Sequence, residues 1–149
     1  MGKKIAIILI MLLFGIPAFI FGRVIWPPAP ESPAPTALQL PFFMFLSALE
    51  SLLFGLGIAF IIFVPGKIKS LPEKYKSRAI ACYVCFAWLL VSWWPHDNLH
   101  IHNGMNLQGL LYIEYGFHFT LIIASIILTK NFLSLLKEAK LVALLKETK

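Results

Sequence analysis

The chain has 149 residues, 59% of them hydrophobic and 13% charged, and its mean hydropathy of +0.82 excludes a soluble domain of this size. The net charge of +6 does not point to nucleic acid, because Lys and Arg stand at the ends of apolar runs, as topology signals do, and not among exposed aromatics. The two cysteines, Cys82 and Cys85, lie inside an apolar run, which excludes a secreted disulfide framework.

A spanning helix takes about 20 apolar residues, so the sequence predicts four spans, at about 5–25, 38–64, 79–95 and 107–129. The expected fold is all-α: an integral membrane four-helix bundle in a single membrane domain covering 1–149. The first run, Ile5 to Phe21, follows Lys3-Lys4 as in a signal peptide. Bulky Phe19, Ile20 and Phe21 occupy the cleavage zone, however, so it reads as an uncleaved span. The Pro-rich stretch from Trp26 to Pro35 has fixed φ angles and few backbone donors, which predicts an extended loop over 26–37.

The second run, Leu38 to Val64, is interrupted only by Ser47, Glu50 and Ser51 and stops at Pro65-Gly66. A basic connector over 65–78 follows. The third run, from Ala79, ends in Trp93-Trp94-Pro95, an aromatic pair suited to the headgroup boundary with a helix stop behind it. The segment 95–106 has four polar or charged side chains of metal-binding type, His96, Asp97, His100 and His102, and no Lys or Arg; it reads as a second loop. The fourth run extends from Leu107 to Thr129. In the tail, 130–149, Leu-Leu-Lys-Glu-Ala-Lys at 135–140 returns as Leu-Leu-Lys-Glu-Thr-Lys at 144–149, which predicts a short C-terminal helix.

Twelve of the thirteen Lys and Arg residues fall at the N-terminus, in the second connector or in the tail, and only Arg23 lies on the other side. The positive-inside rule then puts both termini and the 65–78 loop in the cytoplasm and the Pro-rich and His-rich loops outside, in a plasma (inner) membrane.

Ionisable residues within a span cost several kcal/mol unless partnered or wet, so each is a functional candidate. Glu50 lies in the second span, and Glu114 and His118 in the fourth. At about 1.5 Å per residue, Glu50 and His118 are each roughly 15 Å from the outer ends of their helices, so the second and fourth spans are expected to pack together and join them. Glu114 and His118, at i and i+4, share a helix face. Glu50, Glu114 and His118 are the candidates for acid and base chemistry.

His96, His100 and His102 have the spacing of metal ligands if their segment is helical, and with Glu114 and His118 they form a mixed nitrogen and oxygen set suited to zinc, copper or iron, or to haem. The bland alternative is a solvated loop with hydrogen-bonded helix ends. Cys82-Tyr83-Val84-Cys85 in a four-span chain resembles the disulfide-bond formation protein B family of membrane thiol oxidoreductases, which implies electron transfer to quinone. Here the pair sits near the cytoplasmic end of its span with no second cysteine pair to relay electrons, so packing at a helix contact is the preferred reading. No phosphate loop, nucleophile elbow or zinc-protease motif occurs.

Two functions of different class follow. One is an outward-facing site of His and carboxylate groups that binds a metal or a small polar or lipid-like ligand, as a binder or as an enzyme. The other is an accessory or structural subunit of a larger membrane complex, with a proton-coupled carrier, dimeric in order to enclose a path, as a third arrangement.

Overall fold

In the computed structural model, backbone is described for residues 2–147 and side chains for residues 2–138. Every regular element among them is helical. In chain order these are α1 (Lys3–Ile25), α2 (Leu40–Phe63), α3 (Pro65–Lys69), α4 (Glu73–Val91), α5 (Trp93–Asn103), α6 (Leu107–Ile113), a π-helical turn (Glu114–Phe119) and α7 (Thr120–Glu147). Three helical stretches, Lys3–Ile25, Leu40–Lys69 and Leu107–Glu138, are long and apolar enough to cross a membrane, and α4 with α5 makes a fourth if that pair, bent by 40°, is one broken span. Large side chains such as Leu13, Phe45, Ile62 and Ile126 are exposed on these helices, as lipid-facing surfaces require.

The helix ends follow local chemistry. Ahead of α2 the Thr36 amide and hydroxyl donate to Gln39 Oε1 and the Gln39 amide donates back to Thr36 Oγ1, and Asn106 caps α6 by accepting from the Gly109 amide at 3.2 Å. At the α4/α5 junction Pro95 has no amide hydrogen to return to the carbonyl of Val91, so the chain bends at Ser92.

The spanning helices form a row rather than a closed bundle. α1 packs on α2, α2 on α4, and α4 on α7, while α5 crosses one end and touches α2, α6 and α1. The second and fourth spans, which were expected to pack together, share no extensive contact among the described residues, because α4 lies between them. Small residues set the spacing at the α1/α2 contact, where Gly15 faces the backbone of Ser51 and Leu52 and Gly55 faces that of Met11 and Gly15, whereas Gly22 faces Asn98 of α5. A Cβ at Gly55 would stand 2.1 Å from the carbonyl oxygen of Met11, so that approach admits only glycine. On the other side, Trp88 of α4 stacks on Phe117 at 5.8 Å and donates from Nε1 to the Thr120 hydroxyl at 3.1 Å.

Two further expectations are corrected. The segment 95–106 is not an open loop, since α5 occupies it to Asn103; Asn98 and Asn103 donate side-chain hydrogen bonds to the carbonyls of Trp94 and Leu99, one turn back. The tail does not form a separate short helix either, because α7 runs on unbroken from Thr120 to Glu147. The side chains of the second tail repeat lie outside the described residues.

The Pro-rich segment is strapped across the far end of α5. The Ala29 amide and the Ser32 hydroxyl donate to the carbonyl of Ile101, at 3.0 and 3.3 Å, and the Met105 amide donates to Glu31 at 3.4 Å. Gly104 ends the helix at φ +52°, ψ −121°, and a Cβ there would meet Glu31 at 2.5 Å and Ala29 at 2.7 Å. At the other end of the strap, the rings of Trp26 and Trp94 meet edge to face, and Trp94 Nε1 donates to the carbonyl of Ala18 at 3.0 Å. The result fixes α5 over the row, with His96 and His100 facing the last long helical stretch.

Candidate metal centre

Helical geometry puts His96 and His100 on one face of α5, one turn apart, with ring centroids 4.6 Å apart. The third imidazole, His118, comes from the π-helical turn, its centroid 4.7 Å from that of His96 and 5.7 Å from that of His100. One ring nitrogen of each lies within 4.8 Å of those of the other two, a group that could hold a metal ion. His96 is buried at 6% exposure, and His100 and His118 are half-buried.

The hydrogen bonds around this group are ordered. His96 Nδ1 stands 2.6 Å from Asp97 Oδ1, and His118 Nδ1 stands 2.7 Å from Glu114 Oε2. A carboxylate only accepts, so each Nδ1 carries the hydrogen and donates it. That leaves Nε2 of both rings with a lone pair, and these two atoms face each other at 2.7 Å. Two lone pairs at that distance repel unless a positively charged species, a proton or a metal cation, stands between or beside them. A histidine that binds metal commonly gives its other ring hydrogen to a carboxylate, which fixes the ring and raises its basicity. His96 and His118 both meet that condition.

The π-helical turn helps to aim His118. An inserted wide turn is common where a spanning helix must offer a group at a functional site. Gly116 at its centre has open space around it, and the Thr120 hydroxyl donates to the Gly116 carbonyl at 2.6 Å, satisfying a backbone acceptor that the widened turn frees.

The other candidate residues fall around this centre. Glu50 of α2 meets Asp97, not His118, because α4 separates the second and fourth spanning stretches. It thus joins the group at one remove, in the series Glu50, Asp97, His96, His118, Glu114. Glu114 stands behind His118 as its hydrogen-bond acceptor, outside the three-nitrogen group. His102 is turned away: two residues past His100 on a helix, it points to another side, and its Nδ1 donates to the Pro27 carbonyl at 2.7 Å. The orienting role of Asp97 and the wide turn at Glu114–Phe119 escape the spacing argument, although Asp97 adjoins His96 and Gly116 interrupts the apolar run. Cys82 and Cys85 are free thiols in the middle of α4 and are not among the residues of this group.

A cleft of about 270 Å3 runs beside the centre between α5 and the fourth spanning stretch, lined by Leu99, Asn103, Gly109, Tyr112, Ile113 and Phe117. Phe117 also borders His96, with 5.6 Å between ring centroids. No family model, curated protein or solved structure matches the chain.

Proposed function

We propose that this is a four-span membrane protein that binds a transition metal through His96, His100 and His118, near the outer face of the plasma membrane and with both termini in the cytoplasm. The observation that carries this reading is the pair of Nε2 atoms facing each other while both Nδ1 atoms are committed to Asp97 and Glu114. At a metal–nitrogen length of about 2.0–2.1 Å, tetrahedral ligands stand about 3.3 Å apart, so small rotations of two half-exposed or helix-end rings accommodate an ion. Nitrogen ligands with carboxylates behind them suit zinc, copper or iron. Convergence on one point favours a single ion over haem, whose axial ligands stand on opposite faces of a ring.

Three protein ligands leave one position open, the pattern of sites that act on or hand over a further ligand, whereas structural zinc sites are closed by four. The adjoining cleft is where a small polar or lipid-like molecule would reach that position. In this reading Glu50, as a carboxylic acid, donates to Asp97, and Glu114 accepts from His118, as positioning groups rather than ligands. Assembly into a homo-oligomer or a larger membrane complex is compatible with the open row of helices, which leaves α1 and α7 each free on one side.

Metal titration of the detergent-purified chain against a chromophoric chelator tests the proposal. Native protein is expected to compete for the metal, and His96→Ala and His118→Ala to lose that ability. A proton shared by the two nitrogens is the competing occupant, and native protein that takes up no zinc, copper or iron would favour it.

A further inference from the structure

At the end of the molecule opposite the histidines, α2, α3, α4 and α7 enclose a second concavity, of about 460 Å3, whose walls are almost wholly apolar. Phe60, Ile68, Cys82, Tyr83, Leu128 and Phe132 are among its lining residues. Its rim is of opposite character. Ile68 turns into the groove between Lys67 and Lys69, both exposed, and Ala79 lines it next to Arg78. Lys74 and Lys76 complete the basic connector.

The acids nearby are already committed. Glu73 pairs with Lys76 at 2.8 Å, and Glu138 pairs with Arg78. Lys74 lies over the ring of Tyr75, 4.6 Å from its centroid. Lys67 and Lys69 have no ion-pair partner among the described residues. An apolar trough beside unneutralised ammonium groups, at the end of spanning helices, has the two-part chemistry of a phospholipid with a net negative headgroup: acyl chain in the trough, phosphate on the lysines.

We infer that the groove between α2, α3, α4 and α7 is a binding site for an anionic phospholipid of the surrounding bilayer, with Lys67, Lys69 and Lys74 holding the headgroup. A docked helix from a partner would fill the trough equally well but would have no use for Lys67 and Lys69, which have no ion-pair partner among the described residues, and a zwitterionic lipid would gain little from them. This site is independent of the histidine centre, and its success or failure leaves the metal reading untouched.

The test is native mass spectrometry of the full chain, released from an uncharged detergent, with phosphatidylglycerol and phosphatidylcholine of identical acyl chains as probes. Phosphatidylglycerol is expected to bind at least about tenfold more tightly, because each lysine near a headgroup contributes roughly fivefold. In the variant Lys67→Gln, Lys69→Gln, Lys74→Gln the preference should fall to about twofold or less. These three side chains are on the surface, so the variant should keep the helical circular dichroism of the native chain. Ala79→Trp, which fills the trough, should weaken both lipids by about tenfold while keeping the preference between them. Equal binding of the two lipids to native protein, or an undiminished preference in the triple variant, overturns the inference. Full lipid binding by Ala79→Trp places the lipid elsewhere and overturns it as well.

Discussion

His96 and His118 each commit one ring nitrogen to a carboxylate and turn the other toward the same point, and this division of labour within each ring makes separable predictions. Replacing Asp97 by Asn or Glu114 by Gln keeps the ligand nitrogens but loosens the rings, so metal affinity should drop by about 10- to 100-fold; competition against a chromophoric chelator measures it. His102→Ala should leave that affinity within about twofold, since His102 spends its hydrogen bond on Pro27. Acid should act in a definite direction. A protonated imidazole has no lone pair to offer, so binding should weaken steadily as pH falls. Metal retention that is flat between about pH 8 and 5 would mean that carboxylates alone hold the ion.

At the scale of elements, two glycines decide how the helices lie. Gly55 brings α2 against the backbone of α1, and Gly55→Ala should destabilise the protein by about 1–3 kcal/mol through overpacking, read as a lower melting temperature in detergent. Unchanged melting would show that this approach is not tight. Gly104 stops α5 where the Pro-rich strap crosses it, a junction that requires positive φ. Much of this level was legible in the sequence: the apolar runs gave the helices, Pro65 and Pro72 stand at the breaks between them, and i, i+4 spacing joined Glu114 to His118 and His96 to His100. Two features were not. The helix over 93–103 contains three histidines, Asp97, two asparagines and Pro95, so neither propensity nor an apolar period announces it, and what orders it is contact with the strap and with α2. The matched depth of Glu50 and His118 was a fair count along two helices, but depth carries no information about which helices are neighbours; α4 came between them.

Across the whole molecule, the row of spanning helices separates two chemistries. The His and carboxylate centre lies at the end shared by α5 and the Pro-rich strap, and Lys67 and Lys69, without an ion-pair partner among the described residues, lie at the other. In the proposed topology, read from the charge bias, the lysine end lies in the cytoplasm. Single cysteines introduced into a variant lacking Cys82 and Cys85 should report this: Thr36→Cys should react with a membrane-impermeant maleimide on intact cells, and Ser70→Cys only after the cells are opened. The reverse pattern would turn the molecule over and move the metal centre to the cytoplasmic face. The most direct test of the central claim is the metal content of protein purified from its native membrane without added chelator, measured by inductively coupled plasma mass spectrometry. About one zinc, copper or iron ion per chain is expected, filling the three-nitrogen site, present also in His102→Ala and lost in His96→Ala and His118→Ala. A native preparation free of all three metals that also fails to take them up on reconstitution would contradict it.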